Sequence, residues 1–301
     1  MAGQVWTLPV HFQPQFDDAW RLIQAQQMDH RLAGTYVEQS VNGKDYRFDQ
    51  YGSATAAMRE KTARAQATLP SDIPTAFRWV RPRPYDTTTI YDEFDAIALG
   101  KLPDPQGPAV QHHAIQANRN KDIVLINGLL GTNYTGADGT TAVTVPSAQQ
   151  VGVQFGNSST NIGLTLKKLT QASYILDSNE VVQGERYFAY AAKELNNLLT
   201  NVDQVANTLY NDVRALRDGM IRDFMGFQFK MTQLLPVASS VRTCIAWQKN
   251  YARLGTGANP KTHADILPQQ SHALQIRTVM LLDATRFEEA GVVTIACDES
   301  V

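Results

Sequence analysis

The chain has 301 residues, 43% hydrophobic and 19% charged, with a formal charge of −2 at neutral pH. That length supports a large core divided into two lobes, and the near-neutral balance argues against a nucleic-acid reader with a strongly basic face. It still suits a surface lining a DNA-filled space, where gripping phosphates would hinder sliding.

No apolar run approaches bilayer length, so no membrane partner is expected. The opening residues, MAGQVWTLPVHF, lack the basic-then-apolar order of a signal peptide. Two distant cysteines, Cys244 and Cys297, fit a reduced, soluble protein made in the cytoplasm better than a disulfide framework.

Near the N-terminus, Phe12, Phe16, Ala19, Trp20 and Ile23 fall on one helical face. Such a stripe either packs on its own domain or lies as an arm across a neighbouring copy. From Gly34 to about Ile90 the chain reads as extended. Tyr36, Glu38 and Ser40 lead to Asn42-Gly43, a strong hairpin-turn signal, and then to Tyr46, Phe48 and Tyr51. Ala54 to Thr68 is Ala- and charge-rich and reads as a short helix. The run Phe77 to Tyr85 carries Pro82 and Pro84, which remove ladder donors, so it reads as an edge available to an adjacent copy.

After a Pro- and Gly-broken linker (Gly100 to Pro108), the longest helix is expected over Ala109 to Leu130, with Gly131 just past its end. Thr132 to Asn161 reads as a long turn with one strand, Thr141 to Val145. Then come a helix over Leu164 to Leu176, a strand at Arg186 to Tyr190, and a helix through Leu195, Leu198 and Leu199. A polar segment ends at Gly226, and Phe227, Phe229 and Met231 alternate with Gln228, Lys230 and Thr232 as in a half-buried strand stopped by Leu234-Leu235-Pro236. Val241 to Leu254 reads as helix or strand, Gly255 to Pro260 as a loop, and Leu274 to Leu282 and Gly291 to Ala296 as strands.

Motifs for chemistry are missing. There is no phosphate loop, and the glycines of Gly128 to Gly136 follow a helix where a dinucleotide fingerprint would follow a strand. His112 and His113 are adjacent and diverge by about 100° on a helix, so they would not share a metal easily. His263 and His272 lack ligand spacing, and neither cysteine has the surroundings of a nucleophile. No cofactor and no metal is expected. Arg78, Trp79, Arg81 and Arg83 form the best basic-aromatic cluster. It suits either stacking on nucleic acid or pairing between subunits through carboxylates, with Asp86, Asp92, Glu93 and Asp95 close in sequence.

Several blocks, taken in order, resemble the major capsid proteins of tailed bacteriophages with the Hong Kong 97-type fold. Gln27-Met28-Asp29-His30-Arg31-Leu32 and Phe48-Asp49-Gln50-Tyr51-Gly52 look like the N-terminal arm running into the extended loop. Asn118-Arg119-Asn120-Lys121-Asp122 and Leu129-Leu130-Gly131 look like the end of the spine helix, before the Thr135-Gly136 turn. Glu185-Arg186-Tyr187-Phe188 resembles the strand-then-helix element of the lobes. Asp218-Gly219-Met220, Met225-Gly226-Phe227 and Leu234-Leu235-Pro236 resemble the strand entering the axial lobe. Phe287, Gly291-Val292-Val293 and Cys297-Asp298-Glu299-Ser300 resemble the final strand.

The resemblance implies an α+β fold with an N-terminal arm (1–33), an extended β-hairpin loop and return strand (34–100), and a peripheral domain with the long spine helix (101–180). A mainly axial domain (181–270) and closing strands returning to the peripheral domain (271–301) complete it. It further implies hexamers and pentamers of an icosahedral head around double-stranded DNA, present in the virion and assembled in the host cytoplasm. Expected partners are many copies of the chain, a separate scaffolding protein (no scaffolding extension is evident), a portal and, in some heads, a decoration protein. No motif licenses a Lys–Asn cross-link. Candidate inter-subunit contacts are the arm (Phe12, Phe16, Trp20), the hairpin (Tyr36, Asn42, Tyr46) and the Arg-rich edge (Arg78, Trp79, Arg81, Arg83). The alternatives are an encapsulin-like compartment shell or, from another class, a mixed α/β enzyme with a ligand loop at Gly255 to Pro260 or Gly131 to Gly139.

Overall fold

The computed structural model describes residues 30–52, 60–67, 73–92, 106–157, 160–200 and 223–300. Phe12, Phe16 and Trp20 lie outside them, as does much of the helix expected over Ala54 to Thr68. The described residues form three sheets around a long helix.

The first sheet has the order β1 (Val37–Ser40), β13 (Ala252–Leu267), β14 (Ala273–Arg286), β4 (Arg83–Tyr91). Helix α1 (Gln106–Leu130) packs across it, extending the expected helix at its N-terminal end. Pro108 is tolerated there because the first turn has no use for its missing N–H. His113, Ala117, Val124 and Gly128 recur at helical spacing on one side of α1. His113 is fully buried between the hydroxyls of Thr89, 2.8 Å from Nε2, and Thr278, 3.3 Å from Nδ1. Burial, aided by His112, pushes its pKa down, which suits a neutral ring bridging two hydroxyls. At Gly128 the helix meets the sheet so closely that an added Cβ would fall 2.5 Å from the Ala284 carbonyl oxygen. Ile126 and Leu129 join the main core with Leu32 and Trp247.

That core lies mostly on the second sheet, ordered β7 (Gln150–Val151), β15 (Val292–Asp298), β12 (Val241–Gln248), β8 (Arg186–Tyr190), β10 (Phe227–Met231), β9 (Asp223–Phe224), with β11 (Val237–Ala238) on β12. β8 is buried on both faces, and Phe188, Tyr190 and Phe229 meet edge-on or stacked across β8 and β10. Trp247 donates from Nε1 to the Thr35 carbonyl, tying the N-terminal segment to this core. Helix α2 (Leu166–Ser178) packs on β15, and α3 (Ala192–Thr200) follows β8. Lys168 of α2 is fully buried, donating to the carbonyls of Ile162 and Ala296 at 2.8 and 2.7 Å.

A third sheet, β2 (Tyr46–Tyr51), β3 (Thr75–Val80), β5 (Asn133–Thr135) and β6 (Thr141–Val143), completes the fold. It corrects two expectations. Asn42-Gly43 does form a turn, with Gly43 at φ +106, but Tyr36 to Tyr51 is not a hairpin. β1 pairs in parallel with β13, and the chain turns at Gly43 into a different sheet. The hairpin is β2 with β3, in register from Tyr46↔Val80 to Tyr51↔Thr75. Nor is Phe77 to Val80 an edge, because β3 lies between β2 and β5. Pro82 falls in the break between strands, and Pro84 enters β4, which is the edge.

Gly255 to Pro260, expected as a loop, runs inside β13 with two register shifts. Its glycines serve close approach: a Cβ on Gly255 would lie 2.8 Å from Val80 and one on Gly257 2.6 Å from Leu281. Val241 to Leu254, open between helix and strand, is two strands joined by a short turn at Lys249–Tyr251.

One buried guanidinium joins the three parts. Arg286, the last residue of β14 and fully buried, donates to the carbonyls of Leu129 (2.5 Å) and Gly131 (2.6 Å) at the end of α1 and of Val143 (3.1 Å) in β6. The last carbonyls of a helix have no partner within it and carry the negative end of its dipole, so a cation is favoured there. Burial pulls the Arg286 pKa down to about 10, against the pull of Glu289 and with the push of Arg78, so it stays charged at neutral pH. Arg286→Met should cost about 3 kcal/mol or more by leaving these carbonyls buried and unpaired, read by urea unfolding of unassembled subunits. A loss below about 1 kcal/mol would mean that water reaches them. Gly128→Ala should also destabilise. The gain in helix propensity, about 1 kcal/mol, is smaller than the cost of driving α1 off β14, about 1–3 kcal/mol for overpacking. The same unfolding assay decides the sign.

Candidate functional site

The residues singled out from the sequence are spread over three regions. The first is where the N-terminal segment meets the long helix. Asp122, on α1 and almost fully buried, accepts from the backbone amides of Arg31 at 2.8 Å and Leu32 at 3.2 Å, and from His30 Nδ1 at 2.5 Å. The other His30 ring nitrogen meets the Tyr36 hydroxyl at 2.8 Å. Burial, with Glu38 and Asp122 adding to it, raises the Tyr36 pKa to about 12, so its hydroxyl keeps its proton. Tyr36 is therefore engaged within its own chain. Residues 1–29 enter the described structure at this anchor.

The second region is the β2–β3 hairpin. Tyr51 and Ile73, at its far end, are 76% and 51% exposed. Asn42 is exposed near the other end, while Tyr46 packs edge-on against Phe48 and its hydroxyl accepts from Gln39 Nε2. The hairpin is pinned to the connection between β14 and β15: the Phe287 carbonyl accepts from Arg78 Nε at 3.1 Å and from Gln50 Nε2, and Arg78 Nη2 pairs with Glu289 at 2.9 Å.

The third region is the run Arg78 to Arg83, which the structure does not keep together as one surface. Arg78 is buried in the contacts above. Trp79 donates from Nε1 to the Gly136 carbonyl at 2.7 Å and lies on Gly139, where a Cβ would strike its ring. Arg81 pairs with Asp45 at 2.9 Å, donates to the Gly139 carbonyl and sits over the Tyr134 ring. Its amide is held by Asp283, whose pKa burial pushes up against that hydrogen bond. Only Arg83 of the four is classed as exposed, on the edge strand β4. Of the acidic neighbours, Asp86 pairs with Arg277 at 3.3 Å, and Glu93 and Asp95 lie outside the described residues.

Asp283, Arg286 and Glu289 were not singled out from the sequence, and Asp122 entered only as part of a helix-end block with no role of its own. For Asp283 and Arg286 the signal was present: they are charges within the otherwise apolar run Val279 to Arg286. Among the described residues, no group of three or more His, Cys, Asp or Glu is placed to hold a metal, and no helix is long and apolar enough to cross a membrane. Cys244 and Cys297 are free, buried thiols; hydrogen bonding to Cys297 and burial push the Cys244 pKa up, which opposes thiolate chemistry.

One buried carboxylate is poorly compensated. Glu194, at the start of α3, is fully buried and 3.7 Å from Arg242 Nε, while Glu299 holds that nitrogen at 2.5 Å. Burial raises the Glu194 pKa from its ordinary 4.5. The charged form is thus disfavoured on folding, so Glu194 detracts fully from stability above its raised folded pKa, less as the pH falls through it, and not at all below the ordinary 4.5.

A family model described as "Phage capsid protein" matches residues 8–299. Among solved structures, the cyanophage Pam1 capsid superposes with a TM-score of 0.73 at 9% identity, covering 99% of this chain and 99% of that one. The capsid of cyanophage P-SCSP1u gives 0.70 at 12% identity, covering 95% and 92%. That of Ralstonia phage GP4 gives 0.69 at 8% identity, covering 96% of each. No curated protein matches the chain. At such identities the superpositions speak to fold, and they give the Hong Kong 97-type arrangement.

Two outcomes are expected. Asp122→Ala should speed hydrogen exchange at the Arg31 and Leu32 amides by about tenfold or more, since a hydrogen bond to a charged group contributes about 1.5–3 kcal/mol. Glu194→Gln should be more stable than the parent at pH 7, with the difference vanishing below pH 4, as thermal melts across that range would show.

Proposed function

The chain belongs to the phage capsid protein family and is a major capsid protein, and we propose that its copies close into an icosahedral head of hexamers and pentamers around double-stranded DNA. The observation that carries this is the family match from residue 8 to residue 299, together with a hairpin whose far end exposes Tyr51 and Ile73. Large apolar side chains left exposed in one subunit are suited to burial against a neighbour. Nothing supports the compartment-shell or enzyme alternatives.

The peripheral lobe is α1 with the β1–β13–β14–β4 sheet, and the axial lobe is the larger sheet with α2 and α3. The lobes interleave along the chain. β13, in the interval first given to the axial domain, pairs along its length with β14, and β15 pairs with β12. The N-terminal arm, carrying Phe12, Phe16 and Trp20, crosses to a neighbouring subunit. Asn42 and Arg83, both exposed, meet neighbours, while Tyr36, Tyr46, Arg78, Trp79 and Arg81 hold the contact surfaces in shape from within. A scaffolding protein, a portal and, in some heads, a decoration protein complete assembly in the host cytoplasm. Several modest contacts per copy, none decisive alone, allow misplaced subunits to leave before the shell closes.

Charge reversal separates the two kinds of arginine. Arg83→Glu should leave the subunit folded and reduce shells in sedimentation and electron microscopy. Arg81→Glu should lower subunit stability itself, because it breaks the Asp45 pair and sets a third carboxylate beside Asp45 and Asp283. Normal shell yield from Arg83→Glu would remove Arg83 from the interface. Absence of shells from the unaltered chain supplied with its scaffold would overturn the capsid reading.

A further inference from the structure

β4 ends its sheet with an outer edge that no described strand covers along its nine residues. Natural edges are blunted by lysine, proline, bulges or a covering element. In β4 such features lie in its first half, Arg83, Pro84 and Asp86, whereas Thr87-Thr88-Thr89-Ile90-Tyr91 is uncharged, strand-favouring and free of glycine and proline, with Ile90 48% exposed. A cleft of about 270 Å³ runs beside this edge, walled by Tyr85 and Thr87 of β4, Thr278 and Met280 of β14, and Ala117 and Asn120 of α1. The Asn120 amide nitrogen is buried without a hydrogen-bond partner. An open edge flanked by a pocket with an unused donor is how a sheet takes up an added strand: main-chain bonds hold it and alternate side chains enter the pocket.

The chain holds a segment of matching pattern. Trp6, Leu8, Val10 and Phe12 alternate with Thr7, Pro9 and His11, the period of a strand with one apolar face. In such a strand Trp6, Leu8 and Val10 present their backbone groups to one side and Pro9 to the other, so the donor that proline lacks would face solvent. We propose that residues 6–12 of a second copy add to the free edge of β4, with alternate apolar side chains seated in the cleft beside Asn120. This rests on the capsid reading and names where its N-terminal arm docks. A second copy is favoured over the same chain because the arm starts at Asp122, which lies about 200° around α1 from Asn120. The arm therefore leaves from the side of the helix away from the cleft.

The test places the photo-crosslinking residue p-benzoylphenylalanine at Leu8 and, separately, at Val10, in shells assembled from a mixture of isotopically heavy and light subunits. Irradiation should give heavy–light cross-links mapping to residues 84–91 or 116–120. Shells that form but cross-link elsewhere, only within one copy, or not at all from either position would overturn the docking site and leave the capsid reading standing. Failure of the unsubstituted chain, with its scaffold, to form shells would overturn both.

Discussion

The fold turns on one buried cation. Arg286 reaches from the end of β14 to the last carbonyls of α1 and on to β6, so a single guanidinium links the end of the long helix, the end of β14 and the small sheet. An arginine suits this place because its planar fork serves several carbonyls at once and burial cannot neutralise it at neutral pH. Close approach completes the joint: Gly128 lets α1 touch the backbone of β14 near Ala284. Helix and sheet therefore behave as one rigid piece.

The N-terminal segment and the β2–β3 hairpin are held to that piece by polar ties. Asp122 grips the chain at residues 30–32, and Arg78, Gln50 and Phe287 secure the hairpin to the connection between β14 and β15. These ties fix how residues 30–32 and the hairpin strands sit on the helix and its sheet.

The arginine run illustrates how residue type and position can mislead together. Arg78, Arg81 and Arg83 are close in sequence and equally suited to carboxylates. Yet the first is buried against Glu289, the second is partly exposed but tied to Asp45, and the third is exposed on the edge strand β4. Alternation along β3 and the break at Pro82 send their side chains to different surroundings.

What the sequence determined by itself was local. The period of Ala109 to Leu130 announced α1, the alternation of Phe227 to Met231 announced β10, and the β-branched run at Val292 announced β15. In each case neighbouring residues carry the pattern and its physical cause. Pairing was left to the tertiary structure. Asn42-Gly43 encodes a turn but not the sheet each flanking strand joins. The glycines at 255 and 257 read as a loop until Val80 and Leu281 lie against them. Asp122, Asp283 and Arg286 look like ordinary charges until their partners, far away in the chain, are brought near. Periodicity is a property of a few adjacent residues, whereas a strand's partner or a buried charge's counterpart depends on contacts over hundreds of positions, which only the folded chain specifies.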